Sequence, residues 1–426
     1  MIHGKPTPIT ASANTNGALR HGAFLLLMAA VFSVSVGHGI VLPILPAFLA
    51  RLPLDASRLS IAWHTGMLTG VYMFALFACA PLWGHISDRI GRRPVILIGL
   101  GVFILAGIVF ALSQSLGLSY ATRIVAGAGA AAVLPVTLAY VGDMSVRETR
   151  ARNFAWVSGV SILGFLAGPA LSGTVLEMYP ALMEVIGFGD RLAAPFFIAA
   201  VLGGVIWTLS YFNLPEAVAR SASGAAADDS FSEQAATPVA VLFVLTLLVL
   251  FGVSAFEVAL ALLGQQVLGF SPGQIGVLFM ECSLVMLVVQ MLIFSMLTKR
   301  LESRHMVVSL LLAMSLGLVW LPRMSEFGTL LFFVALIAST AGVLTPLLAY
   351  QVSLSATIGR GAALGKQTAA ASLGQALGSV AAGGLFTLRP ELPFWIAAAL
   401  LLLGAMIYFM RGGRPAPHLR QRTLGS

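Results

Sequence analysis

Two carboxylates stand alone in long apolar runs: Glu257 in VSAFEVAL and Glu281 in LFMECSLV. A carboxyl surrounded by hydrocarbon is costly to keep, so it is a functional candidate by default. One that takes up a proton on one side of a membrane and releases it on the other can couple proton flow to work. Each proton moving inward releases about 2.3 kcal/mol per 100 mV. Two more polar groups lie in apolar runs: His38 in VGHGIVLP and Arg123 in ATRIVAGAG. His38 could exchange a proton near neutral pH, or it could be a hydrogen-bonded neutral histidine. Arg123 could act in coupling or snorkel to the nearer surface. Other kinds of chemistry have no support. The seven histidines show no HxxxH or HExxH spacing, and Cys79 and Cys282 sit far apart in apolar runs. No metal site, disulfide framework or cofactor is therefore expected. With no GxxxxGK[ST] loop and no nucleophile motif, neither an enzyme nor an ATP-driven pump is expected.

The elements that must position these groups follow from composition. Charged residues make up 9% of the 426 and apolar residues 58%, and mean hydropathy is +0.96. A soluble domain carries about 25% charged residues, so much of this surface must face lipid. The apolar content supplies about twelve spans of about 20 residues each. Hydropathy places them near 22–50, 61–83, 95–113, 119–141, 154–176, 193–213, 239–263, 274–298, 306–322, 328–351, 363–386 and 392–411. They should be helices, because lipid cannot satisfy an open strand edge. In antiparallel neighbours, Glu257 and Glu281 would then lie at similar depth, about 10 Å below the outer surface. If they face each other, they would share a proton.

The odd-numbered loops hold five Lys and Arg, while the even-numbered loops and the termini hold seventeen. That asymmetry predicts both termini in the cytoplasm. It also explains the net charge of +8 without nucleic acid. Residues 1–21 and 412–426 read as cytoplasmic tails. Residues 214–238, rich in Ala and Ser with Glu216, Asp228, Asp229 and Glu233, read as a linker. It divides the chain into bundles at 22–213 and 239–411.

The two halves repeat. Gly164, Gly168, Pro169, Ser172 and Gly173 recur 210 residues later as Gly374, Gly378, Ser379, Ala382 and Gly383. GHISDRIGRRP, from Gly84 to Pro94, has a decayed copy, SMLTKRLESRH, in the second half. Parallel repeats of this kind predict a two-fold axis along the membrane normal and a cavity between the halves. Within the motif, Gly84 and Gly91 permit close approach and a tight turn. Arg92 and Arg93 could serve the motif or only set topology. Pro169 should bend its helix, and the glycines around it form a small-residue packing face. Pro43 and Pro46 interrupt span 1 in the manner of cavity-lining broken helices. Phe74, Phe77, Phe251, Phe256 and Phe279 could wall a cavity for lipophilic cargo or simply pack.

GHISDRIGRRP, placed between the second and third spans, resembles the signature of the major facilitator superfamily. Gly164-x-x-x-Gly168-Pro169-x-x-Ser172-Gly173 is similar to the motif of its drug:proton antiporter branch, with one Gly changed to Ser. Arg123, Gly127 and Gly129 resemble another motif of that branch, with Ala126 in place of its Gln. The resemblance implies an all-α membrane protein of twelve transmembrane helices in two pseudo-symmetric six-helix bundles. It implies that Asp88 closes a cytoplasmic gate against the start of span 11, near Arg360 and Lys366. Arg89, Asp143, Arg147 and Arg152 would support that gate. It further implies a part in proton coupling for Arg123 and exchange through the Gly-Pro motif; Glu257 and Glu281, singled out by their apolar setting, are the other expected coupling groups. Span 1 holds no acid, a departure from some members of the branch. His38, Pro43 and Phe256 are the expected cavity residues.

The expected function is proton-coupled export of a small, mostly apolar compound from a bacterial inner membrane by a monomer, with the bilayer and protons as its other partners. Alternatives are export or import of a metabolite such as a sugar or siderophore, or a non-transporting sensor or assembly protein on the same fold.

Overall fold

The computed structural model describes residues 21–52, 58–145, 147–186, 190–216, 239–296, 304–355 and 360–411. Residues 1–20 of the first predicted tail, all of the second, nearly all of the predicted linker, and Lys299 and Arg300 lie outside these. Twelve α-helices follow in order: α1 (His21–Ala50), α2 (Arg58–Ile90), α3 (Arg92–Leu112), α4 (Leu116–Met144), α5 (Arg147–Ile186), α6 (Ala194–Asn213), α7 (Val239–Leu262), α8 (Pro272–Met296), α9 (Arg304–Trp320), α10 (Phe327–Ser355), α11 (Arg360–Leu388) and α12 (Leu392–Arg411). Each contains a stretch long and apolar enough to cross a bilayer. The chain is a multi-pass, all-α membrane protein. Helices satisfy every backbone group within one segment, the condition hydrocarbon imposes.

Several helices overrun their predicted spans. α2 continues to Ile90 and α5 begins at Arg147. Hydropathy marks the part of a helix that lies in hydrocarbon, whereas helical hydrogen bonding continues into the polar interface. α7 also continues, through a π-helical turn at Leu263–Val267.

Helices α1–α6 and α7–α12 form two halves, each with its own core. The second half has one large core that includes Phe256, Leu260, Met314, Leu344 and Phe394. The first half has two. One surrounds Tyr72, Leu100 and Tyr140, and the other surrounds Ile44, Phe48 and Phe110.

The repeat seen in the sequence is a repeat of contacts. A Cβ added at Gly168 of α5 would lie 2.7 Å from Cα of Gly39 in α1. Additions at Gly374 and Gly378 of α11 would collide with the carbonyl oxygens of Leu247 and Phe251 in α7. The last glycine of each set serves the contact between halves instead. Gly173 lies against Gly273 and Gly276 of α8, and Gly383 against Gly66 of α2. Small residues let backbones approach where no hydrophobic force drives helices together. Pro135 of α4 and Pro346 of α10 also occupy matching places.

The glycine contacts between halves lie toward the end that carries the α1–α2 and α7–α8 connections, here the distal end. At the other, terminal end, Leu82, Ile86 and Ile90 of α2 are exposed.

Candidate functional site

At the terminal end, Gly91 has φ +98°, a backbone region that other residues rarely adopt. The turn it makes carries Arg92 back over α2. Nη1 of Arg92 lies 2.6 Å from Oδ1 of Asp88 and donates to Oγ of Ser87. Its Nε donates to Oδ2 of Asp143 at 3.1 Å. Arg92 therefore ties the end of α2 to the end of α4, beyond any effect on topology. Arg93 donates to the carbonyl of Tyr211, joining α3 to α6.

The ion pair described for Asp88 thus lies within its own half. Lys366 is exposed, and the side chains of Arg360 and Arg147 lie outside the described residues. Arg89 and Arg152 are exposed as well. A Cβ added at Gly84 would meet nothing within 4 Å, so the close approach expected of this glycine is not made in this conformation.

Deeper in the first half, Arg123 does not snorkel. It is 4% exposed, and its guanidinium lies over the ring of Tyr72, 4.3 Å from the centroid. Nε donates to the carbonyl of Leu68 at 3.4 Å, and Nη2 has no partner. The imidazole of His38 stacks on the same tyrosine at 4.7 Å and meets Phe165 edge-on at 5.5 Å. Its Nδ1 also lacks a partner. Among the described residues no carboxylate forms an ion pair with Arg123. The aromatic face stands where an acid is expected, and a desolvated cation–π contact contributes about 2 kcal/mol. Sequence reasoning missed Tyr72, although a lone tyrosine within an apolar span signals a partner for its polar edge. A cavity of about 40 Å³ beside Arg123 is also lined by Ser33, Phe103 and Thr122.

The aromatic cavity wall needs correction. Phe256 is 1% exposed and Phe279 5%, and both belong to the core of the second half. α7 is surrounded by α10, α11 and α12, so its phenylalanine face is consumed by packing. Pro43 and His38 are both buried within α1. The exposed aromatic rings near the predicted wall are Phe74, at 55%, and Phe165, at 38%.

The two acids are brought into one neighbourhood. Glu257 of α7 is half-buried between the buried Phe256 and Val258. Glu281 of α8 has one carboxylate oxygen fully buried and without a partner. Cys282, itself buried, lies within electrostatic reach of both carboxyls. Glu281 also borders a cavity of about 600 Å³ between α5 and α8. Among the described residues no group of His, Cys, Asp and Glu could hold a metal ion.

Comparison with known proteins bears on this arrangement. The profile of the Major Facilitator Superfamily matches residues 27–293 and 242–425. The chain is similar to Multidrug resistance protein 2 of Bacillus subtilis strain 168, with 27% identity over 389 residues, 89% of this chain and 93% of that protein. It is 24% identical to Quinolone resistance protein NorA of Staphylococcus aureus strain COL over 382 residues, 88% and 93% of the two chains. Among solved structures, its fold resembles the xylose transporter XylE from E. coli in a partially occluded inward-open conformation. That match has a TM-score of 0.71 at 13% identity and covers 91% of this chain and 97% of that one. The human organic anion transporter MFSD10 matches with a TM-score of 0.66 at 22% identity, over 91% and 98%.

Proposed function

We propose, from the premise that the chain belongs to the Major Facilitator Superfamily, that it exports small, mostly apolar, drug-like compounds in exchange for protons. Membership makes it a membrane transporter rather than an enzyme; the cargo, the exchange and the direction are the proposal. The observation that carries it is the placement of Glu257 and Glu281 in the membrane-spanning stretches of α7 and α8, outside every ion pair among the described residues. A carboxyl inside a membrane bundle and free of any arginine can change its protonation state as the halves move. Relatives named for multidrug and quinolone resistance support the cargo class.

In this reading Glu257 is the principal coupling group, Glu281 the second acid, and Arg123 the fixed cation of the other half. The Gly164, Gly168, Pro169 and Gly173 face holds α5 tightly to α1 and α8, which limits leak. Asp88, Arg92 and Asp143, with Arg93 and Gly91, brace the terminal end as an inner gate. Both termini face the cytoplasm of a bacterial cell, the site is the inner membrane, and the monomer is the working unit. The contacts between halves are then on the outside, so the conformation is closed there.

The test is purified full-length protein in liposomes with an imposed pH gradient, loaded with a panel of lipophilic compounds. Expected is accumulation driven by the gradient and abolished by an uncoupler. Uphill movement that ignores the uncoupler would overturn the proton-driven reading.

A further inference from the structure

We propose that the cavity beside Arg123, lined by α1, α3, α4 and α6, binds a small monovalent anion of chloride size as the counter-charge of the guanidinium. This goes beyond the reading above, because the site lies wholly within the first half and needs neither cargo nor proton movement.

The location follows from the elements. Ser33 of α1, Phe103 and Gly107 of α3, Thr122 of α4 and Ala200 of α6 line the cavity together with Arg123. α4 begins at Leu116, so Arg123 lies about 10 Å from the distal end of its helix. Gly107 is half-buried, and a Cβ there would meet nothing within 4 Å, which leaves a way in between α3 and α6. α3 ends soon after, at Leu112. An ion arriving from the distal surface therefore passes less than about two turns of helix rather than the whole bilayer.

The chemistry follows from what surrounds the charge. Arg123 is 4% exposed, and among the described residues no carboxylate pairs with it. Its Nε reaches the carbonyl of Leu68 in a long contact of 3.4 Å, and Nη2 has no partner. The rings of Tyr72 and Phe110, with centroids 4.3 and 5.9 Å from the guanidinium carbon, cover the cation without cancelling its charge. A buried charge needs an opposite one, and no acid lines the cavity. Its volume of about 40 Å³ exceeds the share of one water in the liquid, ~30 Å³, and a chloride ion is of similar size. Water would accept a hydrogen bond and leave the charge uncompensated. Sulfate, phosphate or a carboxylate cargo is too large. Ser33 adds a hydroxyl, whereas Thr122 donates its own to the carbonyls of Leu118 and Ser119. So few donors in an apolar wall suit a single diffuse charge, because a multivalent ion would lose more hydration than they restore.

The test uses full-length protein in phosphatidylcholine nanodiscs, with chloride as the probe and gluconate replacing it at constant ionic strength. Expected are saturable broadening of the chloride NMR resonance and a melting temperature that rises with chloride, as for any ligand that binds only the folded state. Bromide should act likewise and sulfate should not. Arg123→Gln should weaken chloride binding at least tenfold. Ser33→Ala, which removes only a hydroxyl, should weaken it about threefold and decides the matter if Arg123→Gln does not fold. Unchanged binding in the folded variant would overturn the site, since cations on the surface would then be the binders. Wild-type protein indifferent to chloride would also overturn it and leave water as the occupant, and an equal response to sulfate would overturn the size argument on which it stands. Binding does not depend on export. Chloride binding by a protein that fails to pump in liposomes would keep this site and reject proton-driven export, and pumping by a protein that does not bind chloride would do the reverse.

Discussion

Arg123 shows how a cation can be held in a membrane bundle without an acid. Its charge lies on the Tyr72 ring and on one backbone carbonyl, and one nitrogen is left over. A weakly hydrated guanidinium can cover the ring and donate to the carbonyl at once, whereas a strongly hydrated ammonium suits this buried contact less well. Arg123→Lys should therefore lower transport at least tenfold although the charge is kept, read as initial rate in liposomes. A rate equal to wild type would show that only charge matters there. Glu257 makes a different demand. If it carries the proton, Glu257→Gln should lose uphill accumulation but keep exchange of labelled for unlabelled cargo, because exchange needs no net proton movement. Loss of both would mean that Glu257 binds cargo or supports the fold.

Between helices, glycine decides how close backbones come. Gly168→Val would push a branched side chain into the backbone of Gly39 and Val36. Such overpacking costs about 1–3 kcal/mol, seen as a lower melting temperature in detergent. Gly204→Ala, whose Cβ would meet nothing within 4 Å, should leave that temperature nearly unchanged. At the terminal end, Gly91→Ala forces a side chain into an extended positive-φ conformation at a cost of about 1–3 kcal/mol and should loosen the turn that aims Arg92. Asp88→Asn removes one anion from the pair on Arg92 while Asp143 remains. Insertion and expression should stay normal and transport should fall; normal transport would remove Asp88 from the gate.

For the whole molecule, alternating access requires the distal contacts between α2 and α11 to part. A Cβ on Gly384 would lie 3.1 Å from the far edge of the Trp63 ring, so cysteines at these two positions lie within reach of a short bifunctional thiol reagent. In a chain with Cys79 and Cys282 replaced by serine, Trp63→Cys with Gly384→Cys should lose transport on treatment with a bis-methanethiosulfonate cross-linker and recover it with reductant. Full transport by the joined protein would show that the halves do not separate there.

Hydropathy alone determined the number and kind of elements, because lipid admits one solution for a buried backbone. Spacing alone determined the repeat: the glycines recur with the same period because they make the same contacts in each half. The sequence also singled out Glu257, Glu281, Arg123 and the GHISDRIGRRP turn, since charge within apolar surroundings is conspicuous in one dimension. Helix rotation was not legible there, because the runs are apolar on every side and carry little periodic signal. Only the tertiary structure turned Phe256 into the core, brought Tyr72 under Arg123 and set Glu281 beside α5. It alone paired Asp88 with Arg92, because which charges meet depends on where helix ends come together in space.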